Sequence, residues 1–218
     1  MLDFSLVAPF LPYLLTGALV TIEISVLATA LGLVLGLIAA LARMSVFKPV
    51  KWVADFYVWS IRGTPVLVQL FIVYFGLPQI GIELGAMLAA VLALGANTGA
   101  YVAEILRGGI LAVPAGQIEA AESLGMSSAK VMRRIILPQA FRLSIPALGN
   151  QAVSMLKESS LASLVTVNEL MMVSQRFAAT NYAYMEFYIV AAVIYLVMTT
   201  GMSWILGKIE FRMSVSER

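Results

Sequence analysis

The stretch "EAAESLGMSSAKVMRRIILP" (residues 119–138) is the longest polar interlude in a chain whose composition is 61% hydrophobic. Gln117 to Leu124 is rich in helix formers, and Gly125 suits the left-handed residue that ends a helix. Ser127 can cap a second helix, in which Val131/Ile135 and Met132/Ile136 repeat at i,i+4 while Lys130, Arg133 and Arg134 take the polar side. Leu137-Pro138 is expected to stop it, because proline lacks the amide proton a helix interior needs. The pattern therefore predicts two short helices joined by a tight turn. Such a projection is a handle for a soluble partner, and it also reads as a basic loop lying on anionic headgroups.

Outside this interlude the 218-residue chain has few charges. They make up 12% of residues, against roughly 25% in soluble domains. With a mean hydropathy of +0.94, the chain reads as an integral membrane protein. It has no cysteine, so disulfides and thiol chemistry are excluded. Nor does it contain histidine, the commonest general base and metal ligand. Met1-Leu2-Asp3 lacks a basic start, and no cleavable signal is expected.

A membrane helix needs about 20 mainly apolar residues. One long helix is expected from about Tyr13 to Ala42, after a surface segment holding Pro9 and Pro12. Further spans are expected within 63–82, where Pro65 and Pro78 trim the helix, and over 84–103 and 187–207. An irregular fourth span runs over 143–156, meets Lys157-Glu158, and resumes over 159–168. Twelve of the 14 lysines and arginines fall on one side of these five spans: near 43–62, over 107–142, and after 207. Arg176 stands alone on the other side, and Lys157 lies inside the membrane. The positive-inside rule then places the N-terminus outside, the C-terminus in the cytoplasm, and the polar interlude on the cytoplasmic face.

Glu119-Ala120-Ala121, three residues, Gly125, nine residues, Ile135, one residue and Leu137-Pro138 match in full the "EAA" loop of permease subunits of ATP-binding-cassette importers. "RGTPVLVQLFIVYFGLP" (62–78), "YVAEILRGGILAVPAGQ" (101–117), "LPQAFRLSIPALGN" (137–150) and "LKESSLASLVTVNEL" (156–170) also resemble the polar amino acid branch of that family. The resemblance implies an all-α, type I importer permease fold: one transmembrane domain over 1–218 with a cytoplasmic coupling loop over about 107–142. It implies a bacterial inner-membrane location and a complex of two permease chains, two ATPase subunits and an external solute-binding protein, with no nucleic acid partner. Gly116, Glu119, Ala120, Ala121, Ser123, Leu124 and Gly125 are the expected ATPase-coupling residues. Small Ala120 and Ala121 would let the helix seat closely on the partner, and Glu119 is available to pair with a basic group. No cofactor is expected on this chain, and ATP and magnesium belong to the partner. A phosphate-binding loop needs Gly-Lys-Ser/Thr at its end, whereas Gly207-Lys208 is followed by Ile209, so the chain is not expected to be an enzyme.

Ionisable residues inside a span are costly and mark function by default. Lys157 and Glu158 lie about 22 Å beyond Arg142 along a continuous helix, past the midplane. With Ser159 and Ser160, which can cap a new helical segment, they are candidates for the substrate pathway. A lysine and a glutamate suit the two charges of an amino acid. The competing reading is an ion-pair network with Arg62 or Glu104 as partners. Asn97, Thr98, Tyr101 and Glu104 share one face of the third span, which suits a water-lined path or a hydrogen-bonded seam between helices. Glu23 is expected at the outer interface, and Glu169, Arg176 and Glu186 in an external segment, wet or facing the binding protein. The alternatives left open are a permease for another small polar solute and a secondary carrier or channel. An intramembrane enzyme is poorly served by a chain without histidine or cysteine.

Overall fold

The computed structural model describes residues 2–214, and these are all-helical with connecting turns. Two 3₁₀ turns, Phe4–Leu6 and Ala8–Phe10, lead into α1 (Leu11–Arg43), which takes Pro12 in its first turn. Pro12 is tolerated there because the first helical amides have no intrahelical partner. Two shorter elements follow, α2 (Lys48–Arg62) and α3 (Val66–Phe71), the latter extended by a π-helical segment at Ile72–Gly76 and a 3₁₀ turn at Leu77–Ile80. The chain bends by 106° between α2 and the Val66–Ile80 run. Next come α4 (Ala86–Leu111), α5 (Ala115–Ser123) and α6 (Ser128–Val131). A long final set comprises α7 (Leu137–Glu158), α8 (Leu170–Asn181) and α9 (Tyr184–Ser214).

Three of the described helical runs are long and apolar enough to cross a membrane: Phe4–Arg43, Ala86–Leu111 and Tyr184–Arg212. The bent pair of α2 with Val66–Ile80 makes a fourth if taken as one broken span. α7 has the length, but Arg142, Asn150, Gln151, Lys157 and Glu158 give it a polar side.

α4 is the central post, and α1 is its main neighbour. Both helices carry two glycines at i,i+4, Gly32/Gly36 and Gly95/Gly99. A Cβ on Gly32 would fall 2.5 Å from Thr98 Cγ2, and one on Gly99 would fall 2.9 Å from Leu35 Cβ. Water cannot drive association between helices in lipid, so such small residues gain contact by letting backbones approach. Further out, Leu14, Ala18, Leu170, Val173 and Phe187 form the core where α1, α8 and α9 meet.

The basic segment does not stop at Leu137-Pro138. α6 passes through a π-helical turn at Met132–Ile136 directly into α7, with Pro138 in the first turn of α7. The wider turn absorbs the proline's missing hydrogen bond, as π-bulges do. Ser159 and Ser160 do not cap a fresh helix either. Their hydroxyls donate back to the carbonyls of Leu156 and Lys157 (2.9 and 2.7 Å), and the chain tightens into a 3₁₀ segment, Ser159–Val165. Thr166, at φ 65°, ends it.

Candidate functional site

At the basic end, α5 closes on Gly125, whose φ of +76° is the left-handed conformation that glycine adopts without steric cost. Gly125 N donates to Glu122 O (2.9 Å) and Met126 N to Ala121 O (3.2 Å), the paired bonds of a Schellman cap. Gln139 Nε2 donates to Gln117 Oε1, tying α5 to the start of α7. Ala121 is buried with Val113, Val131, Ile136 and Ala140. Its small side chain therefore serves packing within the loop rather than a partner surface. Gly116, Glu119, Ala120, Ser123 and Leu124 remain exposed, and Leu124 is an apolar tip at 84% exposure. Ser123 Oγ donates to Glu119 O (2.9 Å), and Glu119 is exposed.

Glu104 gathers cations. It accepts from Arg43 Nη1 (2.5 Å) and Arg107 Nε (3.2 Å), and Arg62 Nη1 lies 3.8 Å away. Arg43 also donates to Asp55 (2.7 Å), so α1, α2 and α4 are joined at one level by alternating charge. The Arg62 guanidinium also stands 5.3 Å over the ring of Tyr101. Asn97 is buried, and its Nδ2 donates to Gln69 Oε1 (3.1 Å). Gln69 Nε2 in turn donates to Ile61 O (2.7 Å) and Thr64 O (3.1 Å), pinning the bend after α2. Asn97 thus belongs to a seam, while Tyr101 on the same face stays exposed.

Lys157 and Glu158 stand apart from these networks. Neither forms an ion pair among the described residues. Lys157 is exposed, whereas Glu158 is half-buried, and its Oε2 is buried without a hydrogen-bond partner. At the far end of the 3₁₀ segment, Thr166 Oγ1 and Tyr74 OH are 3.2 Å apart.

Glu169 is not wet. It is fully buried, caps α8 by accepting from Met172 N (2.7 Å), and accepts from Tyr195 OH (2.8 Å). Thr21 Oγ1 lies 3.2 Å from it and accepts from Leu170 N at the same distance. Glu186 is also buried and accepts from Asp3 N (3.2 Å). Glu23 is exposed. Thr21 and Tyr195 escaped the sequence reading. Their signal was a hydroxyl within a largely apolar span, which in lipid needs a partner.

This architecture, a glycine post with a capped loop at its basic end, defines a membrane-embedded transport subunit. A family model described as "Binding-protein-dependent transport system inner membrane component" matches residues 32–215, and the chain belongs to that family. It is an inner-membrane permease chain. It is 40% identical over 217 residues to the arginine transport system permease protein ArtQ of Bacillus subtilis, covering 99% of both chains. It is 44% identical over 205 residues to the L-cystine transport system permease protein TcyB of the same organism, covering 94% of this chain and 88% of that one. Among solved structures, that of an amino acid ABC transporter with histidines superposes with a TM-score of 0.94 at 44% identity, covering 97% and 99% of the two chains.

Proposed function

We propose that this chain is the membrane-spanning subunit of an ATP-binding-cassette importer that moves a polar amino acid into the cytoplasm. The observation that carries the proposal is the α5 projection. It is closed by a Schellman cap, held to α7 by Gln117 and Gln139, and exposes Glu119, Ala120, Ser123 and Leu124 at the basic end. A second chain of the same kind would complete the path. An ATPase subunit, holding ATP and magnesium, would take the projection of each permease chain, and a solute-binding protein would deliver cargo on the opposite face. The excess of lysine and arginine supports a cytoplasmic loop and C-terminus.

Relatives named for arginine, cystine and glutamine transport carry side chains with little in common. What those cargoes share is the α-ammonium and α-carboxylate. Lys157 and Glu158, adjacent and unpaired, are suited to those two groups. A lysine can meet the carboxylate and a glutamate the ammonium, as charge-assisted pairs.

The test is ATPase activity of the chain reconstituted in lipid with its ATPase and binding protein, one amino acid added at a time. Stimulation by one class names the cargo. No stimulation from a complex that still forms moves the substrate elsewhere. Gly125→Pro is expected to abolish stimulated turnover while leaving the chain in the membrane, because proline cannot adopt φ near +76°. Normal turnover by that variant would remove the loop from the mechanism.

A further inference from the structure

Lys130, Arg133 and Arg134 lie outside the Glu104 cluster. All three are exposed, form no ion pair among the described residues, and with Ala129 line an open hollow on one side of the helix that runs from α6 through the π-helical turn. The other side of that helix is buried, where Val131 and Ile136 pack with Val113, Ala121 and Ala140.

Where the helix becomes α7, Leu137 and Phe141 form one wall of a groove completed by Leu37, Leu41 and Met44 from the end of α1 and by Ile110 of α4. The groove follows the last two turns of α1, a length of about 10 Å. Its volume of about 180 Å³ is below that of small-molecule sites, and no residue lining it is polar. Leu37, Leu41, Leu137 and Phe141 are 40–56% exposed, so the groove is open to the outside.

Helical register ties the hollow to the groove. At about 85–100° per residue through the π-helical and α-helical turns, Lys130, Arg133 and Arg134 each fall within about 60° of Leu137 or Phe141 around the axis. Arg133 precedes Leu137 by about 5 Å along that axis and Lys130 by about 10 Å. The cations therefore stand at the mouth of the groove, on the side away from the spans. An acidic protein surface answers the cations and offers nothing to an apolar slot between membrane helices. An amphiphile with an anionic head and a hydrocarbon tail answers both. Guanidinium groups pair with phosphate through two parallel hydrogen bonds, and basic pockets beside membrane helices take phospholipid headgroups.

We propose that this site binds an anionic phospholipid from the leaflet on the basic side, with its phosphate against Lys130, Arg133 and Arg134 and one acyl chain in the groove between α1, α4 and α7. The proposal rests on the chain's place in the membrane and not on which solute it carries.

The assembled transporter, stripped of lipid in detergent and titrated with phosphatidylglycerol or phosphatidylcholine, reads occupancy as lipids retained per permease chain by native mass spectrometry. Phosphatidylglycerol is expected to half-fill the site at a lower concentration than phosphatidylcholine, by up to about fivefold per cation. Replacing Lys130, Arg133 and Arg134 together by Gln is expected to erase that preference, and Arg133→Lys with Arg134→Lys to keep most of it. Leu41→Trp, which fills the groove from its rim, is expected to weaken retention of both lipids while the cations remain. Equal retention of the two lipids by the unmodified complex overturns the proposal. So does full competition by glycerol phosphate with Leu41→Trp without effect, because the headgroup then binds without its chain. A triple Gln variant that loses its ATPase subunit while phosphatidylglycerol retention is unchanged also overturns it, by assigning the cations to that subunit. Solute-stimulated ATPase activity of the same complex reports on the transport reading separately.

Discussion

Glu158 and Glu169 are separated only by the 3₁₀ segment and a short loop, and their surroundings are opposite. Glu169 is sealed from solvent, and its oxygens take a backbone amide from α8 and the hydroxyl of Tyr195, with Thr21 in reach. Glu158 is half-buried and leaves one oxygen with no donor. Glu104 falls between them: half-buried and crowded with arginines. A carboxylate whose lone pairs are all taken holds helices together and has nothing left to offer a passing solute. One with a buried oxygen that no donor meets, beside an unpaired lysine, adds less to stability and keeps an unused acceptor for a ligand. Satisfaction, rather than charge alone, separates the scaffold carboxylates from the one proposed for the path.

Removing the satisfied group should therefore cost most. Glu169→Ala strands the Tyr195 hydroxyl and the first amides of α8, and a loss of about 2–5 kcal/mol is expected, read by unfolding in mixed micelles. Glu169→Gln is expected to recover part of it by keeping an acceptor. Glu104→Gln should cost about 1 kcal/mol in the same assay, since Arg43 keeps Asp55 and the cluster is partly wet. Glu158→Gln and Lys157→Ala should change stability by less than about 0.5 kcal/mol, within the range of substitutions that break no satisfied contact. Solute-stimulated turnover is nevertheless expected to fall in both. If Glu158→Gln unfolds the chain as readily as Glu169→Ala does, the distinction between the two carboxylates fails.

What could be read in advance follows the range of the interactions. Gly125 was legible because a glycine after a run of helix formers is a local signal, and so were the apolar runs. Pro138 misled for the same reason. The proline rule is local, whereas the π-helical turn that accommodates it depends on how α6 and α7 are held. α2 went unread because only uncharged runs were sought. Its signal was a different one, with Ala54 and Val58 at i,i+4 facing in and lysines at its head. The burial of Glu169 had no local trace. It depends on Thr21 from α1 and Tyr195 from α9, residues far away in sequence that only the folded packing brings together.

The continuous helical path from α6 through the π-helical turn and Pro138 to the end of α7, with Pro146 inside it, has a mechanical meaning. From Ser128 to Glu158 the helical axis is about 45 Å long at about 1.5 Å per residue, with its foot at the α5 projection and its head at the unpaired carboxylate. Moving as one piece, such a member would act as a boom. Tilting it by about 10° about its foot sweeps the head through about 8 Å, while the foot barely moves. A nudge delivered at Gly125 would arrive at Lys157 and Glu158 magnified.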